Sequence, residues 1–238
     1  MGTLVLARHG QANFLSDDYD KLSPLGETQA RLLGSFWASK GAVFDAVFSG
    51  PRTRQIRTAE LAREAYSESG RDLPHAEVIP ELDEYNGHEV MSGLLPLLME
   101  RDRRVRELVE AHERSKGSEE QYKSFQRLFE RVVVEWVEGT IRHPEVTPWS
   151  EFKEQVLRGV ARLRDGEARG RRIVAFTSGG PISVTMQAAL GVSDRVAIGL
   201  NWQIRNASLT EFIFSKDRFS LDVFNSLPHL DRELWTYR

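Results

Sequence analysis

Three short segments carry the residue types that could hold and transfer a phosphate group. Arg8-His9-Gly10 ends an apolar run, Thr3 to Ala7 (TLVLA). A buried strand does not continue into a charged pair unless that pair has partners or faces a cleft. Gly10 allows a tight turn and close backbone approach. Arg8 suits a bidentate clamp on an anion and His9 suits a nucleophile. Taken alone, the triplet reads more readily as a strand end emerging into solvent. The second segment runs Ser49-Gly50-Pro51-Arg52-Thr53-Arg54-Gln55-Ile56-Arg57-Thr58-Ala59 and leads from a strand end into a helix start. Free backbone N–H groups and the helix dipole favour an anion there. Three arginines in the first two turns oppose that dipole, a cost that a bound anion removes. Arg52 and Arg57 read as solvated or as paired with Glu60 and Glu64 across the helix. The third segment, Ser178-Gly179-Gly180-Pro181, follows the apolar run Arg172 to Thr177 (RIVAFT).

The elements that must position these residues follow from patterning. TLVLA and RIVAFT read as buried strands. Ala42 to Phe48 reads as another, with Pro51 at the first helical position of a helix reaching about Tyr66. Glu77 to Ile79 reads as a short strand ending at Pro80. Ser23-Pro24-Leu25-Gly26-Glu27 starts a helix in which Ala30, Leu33 and Trp37 keep helical spacing, and Gly41 closes it. Residues 88–168 are rich in Glu and Arg with apolar residues at helical spacing. Three helices are expected there, with breaks near Gly117 and from His143 to Pro148. Their apolar stripes read as core and their charged faces as solvated surface. A helix to about Leu190 follows Pro181. From Ala207 to Phe224 two strands are expected, turning at Lys216-Asp217. Strands alternating with helices imply an α/β sheet covered on both faces. In such folds ligands sit at the carboxyl ends of strands, where the three segments fall.

Composition narrows the partners. The chain has 238 residues and a formal net charge of −3, so no global basic field attracts nucleic acid. An anion site must be local. Without cysteine, disulfides, thiolate nucleophiles and Cys-based zinc sites are excluded. No apolar run approaches the ~18–20 residues that span a bilayer. The start of the chain has no secretory pattern, and the expectation is a cytoplasmic protein without membrane partners.

In combination the motifs resemble the histidine phosphatase superfamily, the phosphoglycerate mutase-like proteins. Strand-Arg-His-Gly is similar to its RHG signature. Leu22-Ser23-Pro24-Leu25-Gly26 with Gln29 and Ala30 resembles its L-x-x-x-G-x-x-Q-A helix start. Ser49-Gly50-Pro51-x-x-Arg54-x-x-x-Thr58-Ala59 resembles S-S-P-x-x-R-A-x-x-T-A. Leu82-Asp83-Glu84 resembles L-x-E, and Phe176-Thr177-Ser178-Gly179-Gly180 resembles T-H-G-G. These marks occur in the family's order across most of the chain. The resemblance implies a three-layer α/β/α sandwich with a mostly parallel sheet, as one domain over 1–238, with the helical insertion at about 88–168 over the strand ends. It implies phosphomonoester hydrolysis through a phosphohistidine at His9, with no metal or other cofactor and a small phosphorylated substrate. Arg8 and Arg54 would grip the phosphoryl oxygens, with Ser178 and Gly179 beside them. Glu84 would protonate the leaving oxygen and then activate water. That role requires a protonated carboxyl first, favoured by burial or by a neighbour such as Asp83. Glu81 and Asp83 are equally eligible on chemistry alone, and spacing within the family pattern selects Glu84.

The chain departs from the pattern at Ser178, where the family supplies a second histidine. Serine donates one hydrogen bond and carries no charge. Losing such a donor costs about 2.7–4 kcal/mol in the transition state. Slow turnover, replacement by a loop histidine (His88, His75 or His143), or phosphate-ligand binding without hydrolysis would each follow. The family also often has Asn at position 15, which is Leu15 here, while Asn13 is two residues early. Gly10 and Asn13 are further candidates around the site. The mutase loop pattern N-x-x-x-R-F-x-G-W is absent from Gln11 to Lys21, which favours a phosphatase over a glycolytic mutase. A serine hydrolase built on Ser178 is disfavoured because T-S-G-G lacks the first glycine of a G-x-S-x-G elbow. A homodimer contact is one reading of any exposed apolar residues on the helical insertion.

Overall fold

The computed structural model describes residues 1–13, 20–166 and 169–237. Leu15 lies outside the described residues. The chain divides into two compact units, Met1–Glu84 with Gln155–Arg238, and Tyr85–Glu154.

The first unit is built on a six-stranded sheet. Its strands are β1 (Gly2–Arg8), β2 (Ala46–Ser49), β3 (Glu77–Val78), β4 (Arg172–Thr177), β5 (Leu209–Phe214) and β6 (Phe219–Ser226). Their order is β3-β2-β4-β1-β5-β6. The first four are parallel; β5 runs antiparallel to β1, and β6 antiparallel to β5. The sheet is therefore mostly parallel, as expected. The two central strands are apolar at almost every position because both of their faces are covered. Val5, Ala7, Val174 and Phe176 pack with Leu33 and Trp37 of α1 (Pro24–Ser39) and Ala59, Ala62 and Tyr66 of α2 (Thr53–Ser67). Leu4, Leu6, Ile173 and Ala175 alternate with them, are fully buried, and so point to the opposite face. α7 (Gly179–Leu190) packs against β1 and β6.

The second unit consists of α3 (Gly87–Arg101), α4 (Arg103–Ser115), α5 (Gln121–Glu138) and the first residues of α6 (Trp149–Leu163). Its apolar stripes are core. Val90, Leu94, Leu98, Val105, Leu128, Val132 and Val133 are buried. Tyr85, Trp136, Trp149 and Phe152 form an aromatic cluster, with ring centroids 5.0 Å apart for Tyr85–Trp136 and 5.3 Å for Trp136–Trp149. No helix among the described residues is long and apolar enough to cross a membrane.

Several boundaries differ from the sequence reading. Residues 88–168 hold four helices rather than three. Leu98 and Val105 lie two helical turns apart, a spacing that hides a stop at Asp102, whose carboxylate accepts from Arg104 N–H (2.8 Å) and restarts the chain as α4. α2 begins at Thr53, so Pro51 stands before the helix, and β2 begins only at Ala46. The short helix α8 (Asp194–Asn201), capped by Ser193, was not expected from apolar periodicity. β5 begins at Leu209, since Ala207 has a left-handed backbone (φ 57°) that ends the extended run before it.

Candidate functional site

His9 follows the last residue of β1. Its N–H donates to the Thr177 carbonyl (2.9 Å), and its own carbonyl accepts from Ala207 N–H (3.1 Å). The turn that follows rests on Gly10. A Cβ there would lie 2.3 Å from the Gly26 carbonyl oxygen, so only glycine lets the strand end meet the start of α1 backbone to backbone. Gly10 N–H donates to Thr58 Oγ1 (3.1 Å), and Gln11 N–H donates to Gln29 Oε1 (2.9 Å). The Gln and Thr positions of two of the motifs thus serve as struts for the loop carrying His9.

The imidazole is buried, with 4 % exposure. Nδ1 lies 2.7 Å from the Gly10 carbonyl, which can only accept, so Nδ1 carries the hydrogen. Nε2 is then the lone-pair nitrogen, and Arg54 Nε donates to it at 3.2 Å. Burial first, and then the charges of Arg54 and Arg8, hold the His9 pKa well below its ordinary value, against the opposing effect of the Gly10 hydrogen bond. A neutral imidazole with Nε2 free of hydrogen is the form required of a nitrogen nucleophile.

Arg54, in the first turn of α2, is buried (5 % exposed). Its Nη1 meets Asp20 Oδ1 at 2.6 Å, and Asp20 Oδ2 accepts from Thr53 N–H at 2.9 Å. One carboxylate therefore bridges an arginine and the N-terminal amide of a helix, which are the groups a phosphate would use. Arg8 Nη1 donates to the Ile204 carbonyl. Arg57 is paired with Glu60 and Glu64 across the helix, as its sequence context implied. Arg52 differs. Its Nε holds Asp83 Oδ1 (2.5 Å) and its Nη2 donates to the Glu84 carbonyl (3.2 Å), so it fixes the acidic loop. Asp83 is neutralised by that pairing and also accepts from Glu84 N–H (2.7 Å). It is not the bare neighbouring charge that the sequence reading invoked to keep Glu84 protonated.

Glu84 Oε2 accepts from Gly180 N–H (3.0 Å) at the start of α7. Ser178 caps α7 without a side-chain capping bond. It is buried, and its Oγ accepts from Gln55 Nε2 at 2.8 Å. Gln55 was not singled out from the sequence, although a signal was present. Positions 50 and 55 are where the second segment departs from the family pattern, with Gly for Ser and Gln for Ala. The two departures are coupled, since a Cβ on Gly50 would lie 2.2 Å from Gln55 Oε1. Asp20 was also missed, because a lone Asp has no pattern, and so were the Ile204 and Ser208 carbonyls, which accept from the Arg8 side chain and from Arg8 N–H (3.0 Å). Asn13 is tied back to Leu22, its Nδ2 donating to that carbonyl at 3.5 Å. His75 is exposed before β3. In the helical unit, His88 is exposed at the start of α3, and half-buried His143 accepts from Glu145 N–H (3.3 Å). Among the described residues, the group that hydrogen-bonds the Ser178 hydroxyl is the Gln55 amide.

The α/β fold with its mostly parallel six-stranded sheet is phosphoglycerate mutase-like. The model of the histidine phosphatase superfamily (branch 1) matches residues 4–147 and 96–227, and the chain belongs to that superfamily. A 2,3-bisphosphoglycerate-dependent phosphoglycerate mutase of Caulobacter vibrioides is 41% identical over 76 residues, which span 29% of this chain and 32% of the relative. Solved structures of similar fold cover nearly the whole chain. YhfR of Bacillus stearothermophilus has a TM-score of 0.65 at 17% identity, covering 96% of this chain and 99% of its own. A histidine-to-alanine mutant of phosphoserine phosphatase from Entamoeba histolytica, in complex with phosphoserine, has a TM-score of 0.59 at 18% identity, covering 97% and 100%. A mycobacterial glucosyl-3-phosphoglycerate phosphatase has a TM-score of 0.61 at 21% identity, covering 95% and 99%.

Proposed function

We propose that this protein is a metal-independent phosphomonoester hydrolase in which His9 Nε2 accepts the phosphoryl group of a small phosphorylated substrate. The observation that carries this reading is the position of Arg54. Its guanidinium holds a carboxylate with Nη1 and lies 3.2 Å from the lone-pair nitrogen of a neutral histidine with Nε. Exchange of the Asp20 carboxylate for a phosphate would bring phosphorus to that nitrogen, with Arg54 and Arg8 supplying charge to the equatorial oxygens. Nε2 then attacks phosphorus and the bond to the leaving oxygen breaks. That oxygen takes its proton from the Glu84 carboxyl. Water next attacks the phosphohistidine, the N–P bond breaks, and Glu84 recovers a proton from the water. The first step requires the Glu84 carboxyl in its protonated form.

Hydrolysis is preferred to mutase action because the loop from Gln11 to Lys21 lacks the mutase pattern. The second reading is a phosphate-ligand binding protein of the same fold with impaired turnover. It is favoured by the uncharged Ser178, which the motif resemblance sets where the family supplies a second histidine. A panel of phosphomonoesters run on wild type and His9→Ala separates the two. Hydrolysis lost in His9→Ala supports the first reading, and equal turnover in both refutes it. Phosphate binding without turnover across the panel establishes the second.

A further inference from the structure

Ser178 and Gln55 each adjoin a group that touches His9. Ser178 follows Thr177, whose carbonyl takes the His9 N–H, and Gln55 follows Arg54, whose Nε reaches His9 Nε2. The orientation of the Gln55 amide is decided by two backbone groups. Arg52 N–H can only donate and lies 3.1 Å from Oε1, while the Leu82 carbonyl, which also accepts from Thr177 Oγ1 (2.9 Å), can only accept and lies 3.3 Å from Nε2. A flipped amide would set donor against donor and acceptor against acceptor. Nε2 must therefore face Ser178, so Ser178 Oγ must accept, at 2.8 Å. Its hydroxyl hydrogen cannot point back at Gln55, and no acceptor takes it among the described residues. Gln55 is itself fully buried, and Gly50 leaves it the room it fills.

We propose that Gln55 is a positioning residue that turns Ser178 into a dedicated hydrogen-bond donor to a phosphoryl oxygen. The pair replaces a titratable imidazole with a neutral donor of fixed direction. Gln55 acts through Ser178 and does not touch the phosphate. The inference rests on the reading of this site as a phosphate site, and it concerns binding geometry rather than turnover. The plain alternative is that Gln55 only caps α2, through its bond from Arg52 N–H.

A double-mutant cycle on inorganic phosphate binding, followed by calorimetry, separates these roles. The proteins are wild type, Ser178→Ala, Gln55→Met and the double variant. Ser178→Ala is expected to weaken phosphate binding about tenfold, the usual size for a hydrogen bond to a charged group. Gln55→Met is expected to weaken it about fivefold in the wild-type background and less than about twofold beside Ser178→Ala. Equal effects of Gln55→Met in both backgrounds, or none in either, overturn the proposal. Should Gln55→Met fail to fold, the side-chain amide resonance of Gln55 in 15N-labelled wild type decides. Phosphate titration should shift it in wild type and leave it in Ser178→Ala, and equal shifts in both overturn the proposal. Absence of product with every phosphomonoester would refute the hydrolase reading and leave this cycle readable. An additive cycle would refute the positioning role and leave hydrolysis standing.

Discussion

Two strand-to-helix junctions of the α/β unit invite comparison, β2 into α2 and β4 into α7. Each presents helix N-terminal amides, and at each a carboxylate accepts one of them. Asp20 takes Thr53 N–H at the first, and Glu84 takes Gly180 N–H at the second. The surroundings differ. At α2 the carboxylate also meets the buried Arg54 guanidinium, the pairing that a bound anion would exchange with on the proposed reading. At α7 the neighbouring side chain is the neutral Ser178, held by a neutral amide. On the proposed reading, anion grip is concentrated at the first junction, while the side chain at the second offers direction without charge. The same backbone device serves two ends according to the side chain placed beside it.

The largest expected effect tests the charged junction. Arg54→Ala should weaken inorganic phosphate binding about a hundredfold, since a forked, charge-assisted interaction is lost. A loss of less than about threefold would move the anion grip elsewhere. The next test exchanges the character of the neutral junction. Ser178→His alone should give little or no gain in hydrolysis, because the Gln55 amide stands 2.8 Å from the Ser178 hydroxyl and occupies the room an imidazole needs. Ser178→His with Gln55→Ala should raise kcat about tenfold or more, as expected for restoring a charged donor to the transition state. A full gain from Ser178→His alone would show that Gln55 is no obstacle. A smaller effect is expected from Asp20→Asn. Removal of the competing carboxylate should tighten phosphate binding several-fold, roughly the worth of a half-exposed ion pair. Weaker binding would mean that Asp20 supports the site rather than competing for it.

The pH profile sharpens the comparison last. His9 is held well below its ordinary pKa by burial and the two arginines, and Ser178 does not titrate. The nucleophile is active when neutral, so activity from His9 is present above its folded pKa and is lost only as pH falls through it. No acid limb from histidine is therefore expected in kcat/KM near pH 6.5. A limb of unit slope there that His88→Gln or His75→Gln removes would give one of those loop histidines a role.

The strands and the polar motif positions were readable in the sequence because buried strands and anion-binding turns leave local signals. RIVAFT is apolar where both faces are covered, and Gly10, Gln29 and Thr58 hold positions that the backbone requires. What lay hidden depends on groups far apart in the chain. The Gln55 amide gains its meaning from Leu82 and Ser178, and Asp20 from Arg54. The neutralisation of Asp83 comes from Arg52. The stop at Asp102 was hidden because Leu98 and Val105 lie two helical turns apart across it, and α8 because its eight residues are fewer than the window over which helical spacing is read.

The central claim is that His9 Nε2 takes a phosphoryl group. The most direct measurement is rapid quenching of the protein with a turning-over phosphomonoester, followed by mass spectrometry of the peptide spanning Arg8-His9-Gly10 under alkaline conditions. The expected result is an acid-labile phosphate on His9, absent in His9→Ala. A phosphate on another residue, or product formed at full rate in His9→Ala, would contradict it.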